Sequence, residues 1–323
     1  MTDAAPTGRA ATRCSRAFPD ASAPAGRLVE ETTAAFELMG MPLPRRWART
    51  LVAAALDVPQ AELGSHSGRR LGPEGRRRFE EAFRGASPNA PVAYLLGRAP
   101  FMGLDFEVSR ETLIPKVDTE LFLGIVLEDL ERHPLPDYPR VLELCTGSGC
   151  IAVSLAKRFP GATVLATDVS EGALAVAGRN VLMHGVDDRV ELVLGDVWGP
   201  VEAMASGRPF DLILSNPPYI PTEEIPGMGS HVAEHEPRLA LDGGADGLDL
   251  HRRILDGAAD HLAPGGRLFL EHEWYHGLAV RALAGRDADL LTDVRTLRDA
   301  NGKDRSLYAR RRESARRKES ARS

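Results

Sequence analysis

Hydrophobic positions along the chain follow two different periods, and the first of them is helical. One face of a predicted helix carries apolar residues at positions i, i+4, i+5 and i+8, namely Trp47, Leu51, Val52 and Ala55. A second predicted helix has Pro73 near its start and Gly85 near its end, which are positions that proline and glycine favour. Because this part of the chain shows no strand-like alternation, we predict a small helical domain over residues 28–98.

From about Phe101 onward, short and nearly continuous apolar runs alternate with helix-like segments. The runs predict strands at residues 140–145, 162–168, 189–196, 210–216 and 266–273. Apolar strands that are separated by helices indicate a parallel sheet covered on both faces. We therefore predict a Rossmann-like, doubly wound α/β domain over residues 99–309, with its ligands at the carboxyl ends of the strands.

The composition is that of an ordinary globular protein, with 43% hydrophobic and 27% charged residues among 323. No apolar run approaches the roughly 20 residues that a membrane helix needs, so we expect no membrane partner. Residues 1–27 have no continuous apolar core, and we interpret them as a disordered arm. Three cysteines cannot build a disulfide framework, which favours a cytoplasmic location.

The charge is unevenly distributed along the chain. Residues 310–323 hold seven Arg or Lys and two Glu, a net charge of +5, and we predict that they form a basic, disordered tail. Since the whole chain carries −6, residues 1–309 carry −11. So acidic a body is a poor match to a nucleic-acid backbone, and we expect no direct nucleic-acid substrate.

A glycine-containing loop follows the first predicted strand of the α/β domain. The loop runs from Glu143 through Cys145, Thr146, Gly147 and Ser148 to Gly149. Its glycines allow a tight turn and a close approach of a ligand to the next helix. Asp168 ends the following strand, where a carboxylate can accept both ribose hydroxyls. The loop and Asp168 together predict a bound nucleoside. Both NAD and S-adenosylmethionine (SAM) contain a nucleoside, so a dehydrogenase remains an alternative at this point.

A second motif, Asn216-Pro217-Pro218-Tyr219, directly follows an apolar strand. The two prolines cannot continue a central strand and fix a stiff turn at its carboxyl end. There the Asn216 side-chain carbonyl and the Pro217 main-chain carbonyl can accept both N–H bonds of an NH₂ group, and Tyr219 can stack on a planar group. The motif therefore indicates methylation of an amide or amine nitrogen, with Asn216, Pro217 and Tyr219 as catalytic residues and Pro218 as a further substrate contact.

Other clusters have simpler interpretations. The segment from His231 to His235 spells H-x-x-E-H, but Gly229 and Pro237 bracket it too closely for a secure helix. Cys145 and Cys150 lie on a tight turn without a second cysteine pair, so we predict no metal site. We interpret the carboxylates and imidazole that end the last predicted strand, Glu271, His272 and Glu273, as a solvated rim.

The chain resembles the HemK/PrmC-type methyltransferases, which methylate the side-chain nitrogen (N5) of a glutamine in peptide chain release factors. The similarity runs from about residue 40 to residue 310. The motifs that carry it are PVAYLLGRAPFMGLDFEV, LIPKVDTELF, ELCTGSGCIA, SNPPYI, HEPRLALDGGADGLDLHRRIL and DANGKDRSLYAR. The resemblance implies SAM as the cofactor, a release factor as the protein partner, and a helical domain that binds the substrate. It also implies that residues 145–149 and Asp168 hold the methionine and ribose parts of SAM, with Glu143 as a further cofactor residue. Asp196 and Val197 would flank adenine, and Asn216 would border the cofactor.

Two positions depart from the family pattern, since Lys116 replaces the usual arginine and Cys145 a commoner glycine. The ribosomal-protein branch of the family also has CTGSGCIA, so a ribosomal protein glutamine is an alternative substrate. Asn-Pro-Pro-Tyr alone would equally suit an adenine N6 methyltransferase acting on DNA or RNA. A SAM-binding module without catalysis is the alternative outside the enzymes.

Overall fold

The N-terminal part of the chain is helical in the computed structural model, which describes residues 18–203 and 208–313. Four α-helices lie before residue 98 in this described part of the chain: α1 Ala25–Leu38, α2 Pro44–Leu56, α3 Pro73–Gly85 and α4 Val92–Leu96. The helix predicted from Pro73 to Gly85 is confirmed with these bounds. The core is aromatic, because the rings of Phe36 and Phe83 stack with their centroids 5.6 Å apart.

The prediction of a disordered arm is wrong for residues 18–27, the last ten residues of that segment. Helix α1 begins at Ala25, and the preceding Ala21 and Ala23 are buried. Pro24 forms an isolated β-bridge with Arg70. Small alanine side chains let this segment pack closely although its composition resembles that of a linker. Residues 1–17 of the predicted arm lie outside the described residues.

A β-hairpin and a long helix connect the helical region to the α/β domain. The hairpin pairs β1 Arg98–Phe101 with β2 Leu104–Glu107, and α5 Val117–Arg132 follows. Gly103 in the hairpin turn has a φ of +77°, a left-handed conformation that glycine adopts at little cost.

Seven strands form the central sheet within the described residues, in the order β5-β4-β3-β6-β7-β9-β8. The strands are β3 Arg140–Leu144, β4 Thr163–Asp168, β5 Val190–Leu194, β6 Phe210–Ser215, β7 Leu262–Glu271, β8 Leu291–Arg298 and β9 Asp304–Arg311. All five predicted strands are present and mutually parallel. The sheet is mixed rather than wholly parallel, because β9 runs antiparallel to both β7 and β8. Strands β8 and β9 were not predicted.

Helices cover both faces of the sheet, as the apolar strands predict. Besides α5 they are α6 Cys150–Arg158, α7 Glu171–Met183, α8 Gly199–Ala203, α9 Ser230–Ala233, α10 Asp249–His261 and α11 Gly277–Ala284. Successive strand residues point to opposite faces, so Val141 packs in one core with Phe122 and Ile151. Its neighbour Leu142 packs in another core with Ile254. The Rossmann-like fold class is therefore confirmed.

The tail also begins later than predicted. Arg310 and Arg311 are the last two residues of β9, where they pair with β7 or β8. Residues 314–323, most of the predicted tail, lie outside the described residues. Across the ranges 18–203 and 208–313, no helix combines the length and the apolar character that crossing a membrane requires.

The order of the strands places two predicted motifs side by side. From β3 the chain runs outward through β4 to β5 and then returns to β6 on the other side of β3. Leu144 and Ser215, the last residues of β3 and β6, are direct partners in the sheet. The loops after these strands therefore leave the same edge at the topological switch point, where such folds bind their ligands.

Candidate active site

The loop after β3 is anchored to the end of β4. The Thr146 N–H donates to the Thr167 carbonyl over 3.0 Å. The Gly147 N–H donates to the Asp168 carboxylate over 2.8 Å. The predicted loop and the predicted acidic residue are thus in direct contact, although 21 positions separate Gly147 from Asp168.

The remaining loop residues fix its path into α6. Gly149 has a φ of +76°, and a Cβ at this position would lie 3.2 Å from the Cβ of Ala177 on α7. Ser148 is buried, and its carbonyl accepts a bond from Asn180 Nδ2 over 2.8 Å. Cys145 adopts a φ of +60°. Close packing against α7 therefore holds the backbone turn in place.

Glu143 stabilises the loop through a hydrogen bond to its buried side chain. Its side chain is buried, and the Thr146 hydroxyl donates to its Oε2 over 2.7 Å. Burial raises the pKa of the Glu143 carboxyl to about 8, because the charged form loses its hydration. Burial therefore favours the neutral acid and reduces the negative charge that this residue adds to the site.

The Asp168 carboxylate can accept more hydrogen bonds than the two that it receives from backbone N–H groups. Its Oδ2 accepts from Gly147 and its Oδ1 accepts from the Ser170 N–H over 2.9 Å. Burial raises the pKa of Asp168, and these two N–H donors oppose that rise. Each carboxylate oxygen can accept a second bond, so the side chain can still receive a pair of hydroxyls.

Asp196 and Val197 follow β5 on the same edge of the sheet. Asp196 forms an ion pair with Arg253 of α10, with 2.7 Å between Oδ2 and the guanidinium. Val197 is buried and has a φ of +47°.

A cavity of about 500 Å³ collects nearly all of the predicted cofactor residues. Those that line it are Glu143, Cys145, Thr146, Gly147, Ser148, Asp168, Asp196, Val197 and Asn216. Gly149 contributes its turn and is not part of the lining. A diol acceptor, a glycine loop that allows close approach and mostly apolar walls are the features that a nucleoside-containing cofactor such as SAM requires, so the residues present fit it.

Asn216 is held by a buried hydroxyl on α5. Its Nδ2 donates to Thr119 Oγ1 over 3.0 Å, so the amide oxygen Oδ1 is left as the acceptor that Asn216 can offer. A second cavity, of about 560 Å³, lies between the helical region and the sheet domain, and its lining includes Trp47, Pro217 and Tyr219. Asn216 lines both cavities and therefore stands where they meet.

The other two residues of the motif divide between the cavities. Pro218 lines the first cavity and Tyr219 lines the second. The Tyr219 hydroxyl donates to Glu271 Oε1 over 3.4 Å, and burial raises the pKa of this phenol well above its usual value. The hydrogen bond to Glu271 therefore restrains the orientation of the Tyr219 ring.

The prediction of a solvated rim at residues 271–273 is wrong for its first two members. Glu271 and His272 are fully buried at the end of β7, and Glu271 contacts Thr119 and Tyr219. Neither Thr119 nor Glu271 was predicted as a site residue. The position of Glu271 at the end of a predicted strand is the feature that could have identified it. Leu270 pairs with Ser215, so Glu271 lies beside the Asn-Pro-Pro-Tyr turn that follows Ser215.

The H-x-x-E-H segment and the two cysteines do not come together as a metal site in the described part of the chain. Helix α9 spans only Ser230–Ala233, so the H-x-x-E-H segment is not one continuous helix. In the part of the chain that the structure covers, no three His, Cys, Asp or Glu residues form a group that could hold a metal ion. Burial raises the pKa of the Cys145 thiol to about 12, which disfavours the thiolate that a metal would bind.

Comparisons with known proteins agree with this geometry. Residues 27–97 match the PrmC N-terminal domain family, and residues 122–229 match the methyltransferase small domain family. The chain is 42% identical to a release factor glutamine methyltransferase of Moorella thermoacetica, over 85% of this chain and 94% of the relative. It is 40% identical to a ribosomal protein uL3 glutamine methyltransferase of Bradyrhizobium diazoefficiens, over 69% of this chain and 70% of the relative.

A solved structure supports the fold alone. The catalytic domain of hMettl16, in complex with MAT2A 3′UTR hairpin 6, superposes with a TM-score of 0.50 at 20% identity, over 65% of this chain and 75% of that chain. The match to the methyltransferase small domain family shows that the α/β domain is a methyltransferase domain of the kind that uses SAM. With its matched helical domain and its relatives of 40% identity or more, the chain belongs to the HemK/PrmC-type family of protein glutamine methyltransferases.

Proposed function

We propose that this enzyme transfers a methyl group from SAM to the N5 amide nitrogen of the glutamine in the Gly-Gly-Gln loop of class-1 peptide chain release factors. The observation that carries the proposal is the place of Asn216, which lines both the cavity of the predicted cofactor residues and the second cavity beside the helical region. A glutamine that enters through the second cavity would meet the cofactor at this residue. The name of the Moorella relative supports the choice of a release factor.

In the proposed cofactor site, Asp168 receives the ribose hydroxyls, and the loop from Glu143 to Gly149 holds the methionine part. Asp196 and Val197 flank the adenine. The bound cofactor supplies an electrophilic methyl group on a positively charged sulfur. Burial favours the neutral form of Glu143, which lessens the negative charge beside Asp168.

In the proposed transfer step, Asn216 Oδ1 and the Pro217 carbonyl accept the two N–H bonds of the glutamine amide. These bonds hold the nitrogen lone pair toward the methyl group, and the Tyr219 ring stacks on the planar amide. With SAM bound, the N–C bond would form as the S–C bond breaks, and the electrons of the S–C bond would stay with the sulfur. The methylated nitrogen then releases one proton to water, so no strong base is required.

The proposed protein partner binds across both domains. The second cavity is lined by helical-region residues such as Met41 and Trp47 and by Tyr219 of the catalytic turn. A loop that reaches Asn216 through this cavity brings the body of the release factor against the helical domain of residues 28–98. We infer a cytoplasmic enzyme, because release factors act there.

A ribosomal protein is the second candidate substrate. It is favoured by the Bradyrhizobium relative, which is named for protein uL3, and by the CTGSGCIA segment. The same acceptors on Asn216 and Pro217 would serve that glutamine, so the two candidates differ only in the protein that presents it.

The test is methyl transfer from labelled SAM to separate purified substrates. They are a class-1 release factor, the same factor with its loop glutamine replaced by alanine, protein uL3, and total tRNA or DNA. We expect one methyl group on the loop glutamine, located by peptide mapping, and none on the alanine variant. Label on uL3 alone would favour the second candidate, and label on nucleic acid would refute glutamine methylation.

A further inference from the structure

A chain of buried hydrogen bonds runs from the catalytic turn to the end of β7. Asn216 Nδ2 donates to Thr119 Oγ1 over 3.0 Å, and Thr119 Oγ1 lies 3.3 Å from Glu271 Oε1. Thr119 is 3% exposed and Glu271 is 0% exposed. Asn216 directly follows β6, Thr119 belongs to α5 and Glu271 ends β7, and only the fold brings the three residues together.

The direction of these bonds follows from the number of protons. A threonine hydroxyl has one proton, and since its oxygen accepts from Asn216, its own proton is free for Glu271 Oε1. The Tyr219 hydroxyl donates to the same oxygen over 3.4 Å. Glu271 Oε1 is therefore an acceptor for two hydroxyl groups that adjoin the substrate position.

We infer that Thr119 and Glu271 are positioning residues that fix the Asn216 amide with its oxygen toward the substrate nitrogen. The inference rests on the proposed function. An asparagine amide can rotate by half a turn and exchange its oxygen and nitrogen at little intrinsic cost. With the nitrogen turned inward, N–H groups of enzyme and substrate would face one another and the transfer geometry would be lost.

The buried carboxyl group makes the productive orientation the favoured one. In the reversed orientation Asn216 Oδ1 would face Thr119, whose proton would have to turn toward it. Glu271 Oε1, which belongs to a fully buried side chain, would then lose one of its two donors, and such a loss costs more in the interior than at the surface. No contact from the described residues satisfies Glu271 Oε2, so that oxygen is available to carry the proton of the neutral acid. Burial raises the pKa of Glu271 to about 8, and Oε1 is an acceptor both in the carboxylate and in the neutral acid that carries its proton on Oε2.

The experiment compares Thr119→Val with Thr119→Ser in methyl transfer to the release factor. Valine keeps the shape of threonine and removes the hydroxyl, whereas serine keeps the hydroxyl. We expect Thr119→Val to lower kcat by about ten- to a hundredfold, the loss typical of a misplaced reacting group. The SAM Kd and the release factor KM should stay within about twofold, and Thr119→Ser should restore most of kcat.

Ser154→Ala is the matched control, because it deletes another buried hydroxyl of the same domain, one bonded to the Cys150 carbonyl. Its kcat should equal that of the wild type. An unchanged kcat in Thr119→Val would overturn the inference while leaving the proposed function intact. A loss of kcat accompanied by weaker SAM binding or a lower melting temperature would also overturn it, since the role would then be structural. If the wild type transfers no methyl group to the release factor, the proposed function fails and the inference fails with it.

Discussion

Lys116 and Glu236 form an ion pair that joins the segment before α5 to the segment after α9, with the Lys116 ammonium donating to Glu236 Oε1. The Glu236 side chain is 1% exposed and that of Lys116 is 35% exposed. The other oxygen of Glu236 has no hydrogen-bond partner among the residues described. Both residues line the second cavity, and Lys116 also lines the first. The pair therefore fixes the edge of the proposed substrate entrance.

Removing the ammonium should destabilise the fold, because it leaves a buried carboxylate unpaired. We expect Lys116→Met to lower the free energy of unfolding by about 1–3 kcal/mol, measured by urea denaturation. Lys116→Arg should retain stability, since its planar fork can also reach the second oxygen of Glu236. Adding Glu236→Gln to Lys116→Met should recover part of the loss. Equal stability of Lys116→Met and the wild type would show that the pair contributes nothing.

The roles of cofactor and substrate residues are separable at Asn216. We expect Asn216→Ala to bind SAM with a Kd near that of the wild type and to lose about a hundredfold or more in kcat, because a positioned acceptor is removed. Calorimetry gives the Kd, and labelled-methyl transfer gives kcat. Asn301→Ala, in the turn between β8 and β9, is the matched control with no expected effect. Collapse of SAM affinity in Asn216→Ala would assign the residue to the cofactor instead.

Asp168 should dominate the binding of SAM. Its carboxylate holds Gly147 and is proposed to receive two ribose hydroxyls, so Asp168→Ala should weaken SAM binding by about ten- to a hundredfold. Asp188→Ala removes an exposed carboxylate from the turn before β5 and serves as the control. If both variants bind SAM as the wild type does, the proposed ribose site is incorrect.

Stability should depend on pH through Glu271. The pKa of Glu271 is about 8 in the folded protein and 4.5 in the unfolded chain, where the carboxyl group is not buried. Between these two pH values the folded state therefore holds one more proton than the unfolded state. The contribution to stability is complete below pH 4.5 and is lost as the pH rises to about 8. Glu271→Gln should therefore remove a slope of about 1.4 kcal/mol per pH unit from the unfolding free energy in this range.

Urea denaturation at several pH values between 5 and 8 measures this slope. Glu128→Gln is the matched control, since its side chain is 69% exposed and its removal should leave the slope unchanged. Identical slopes for Glu271→Gln and the wild type would mean that Glu271 is already ionised in the folded protein at the lower pH values.

Local patterns in the sequence determined most of the scaffold. The five parallel strands were predictable because strands buried on both faces must be apolar throughout. The helix from Pro73 to Gly85 was predictable because its end signals lie within the helix itself. The strands β8 and β9 escaped prediction because they lie at or beside the sheet edge and mix polar with apolar residues, as in Arg295 and Asp304.

The sequence by itself also determined the two motifs of the site, because each consists of neighbouring residues at the end of a strand. That Gly147 would lie beside Asp168, and that Asn216 would lie at the same edge of the sheet, follows from strand order, which a parallel βαβ pattern largely dictates. The second cavity beside Asn216 depends in addition on the packing of the helical region against the sheet domain. Only the tertiary structure decided that Glu271 is buried beside Thr119, which lies 152 positions away in the chain. Periodicity reports where apolar side chains are buried, whereas a polar side chain is buried only where distant partners satisfy its hydrogen bonds, and those partners are known only once the chain has folded.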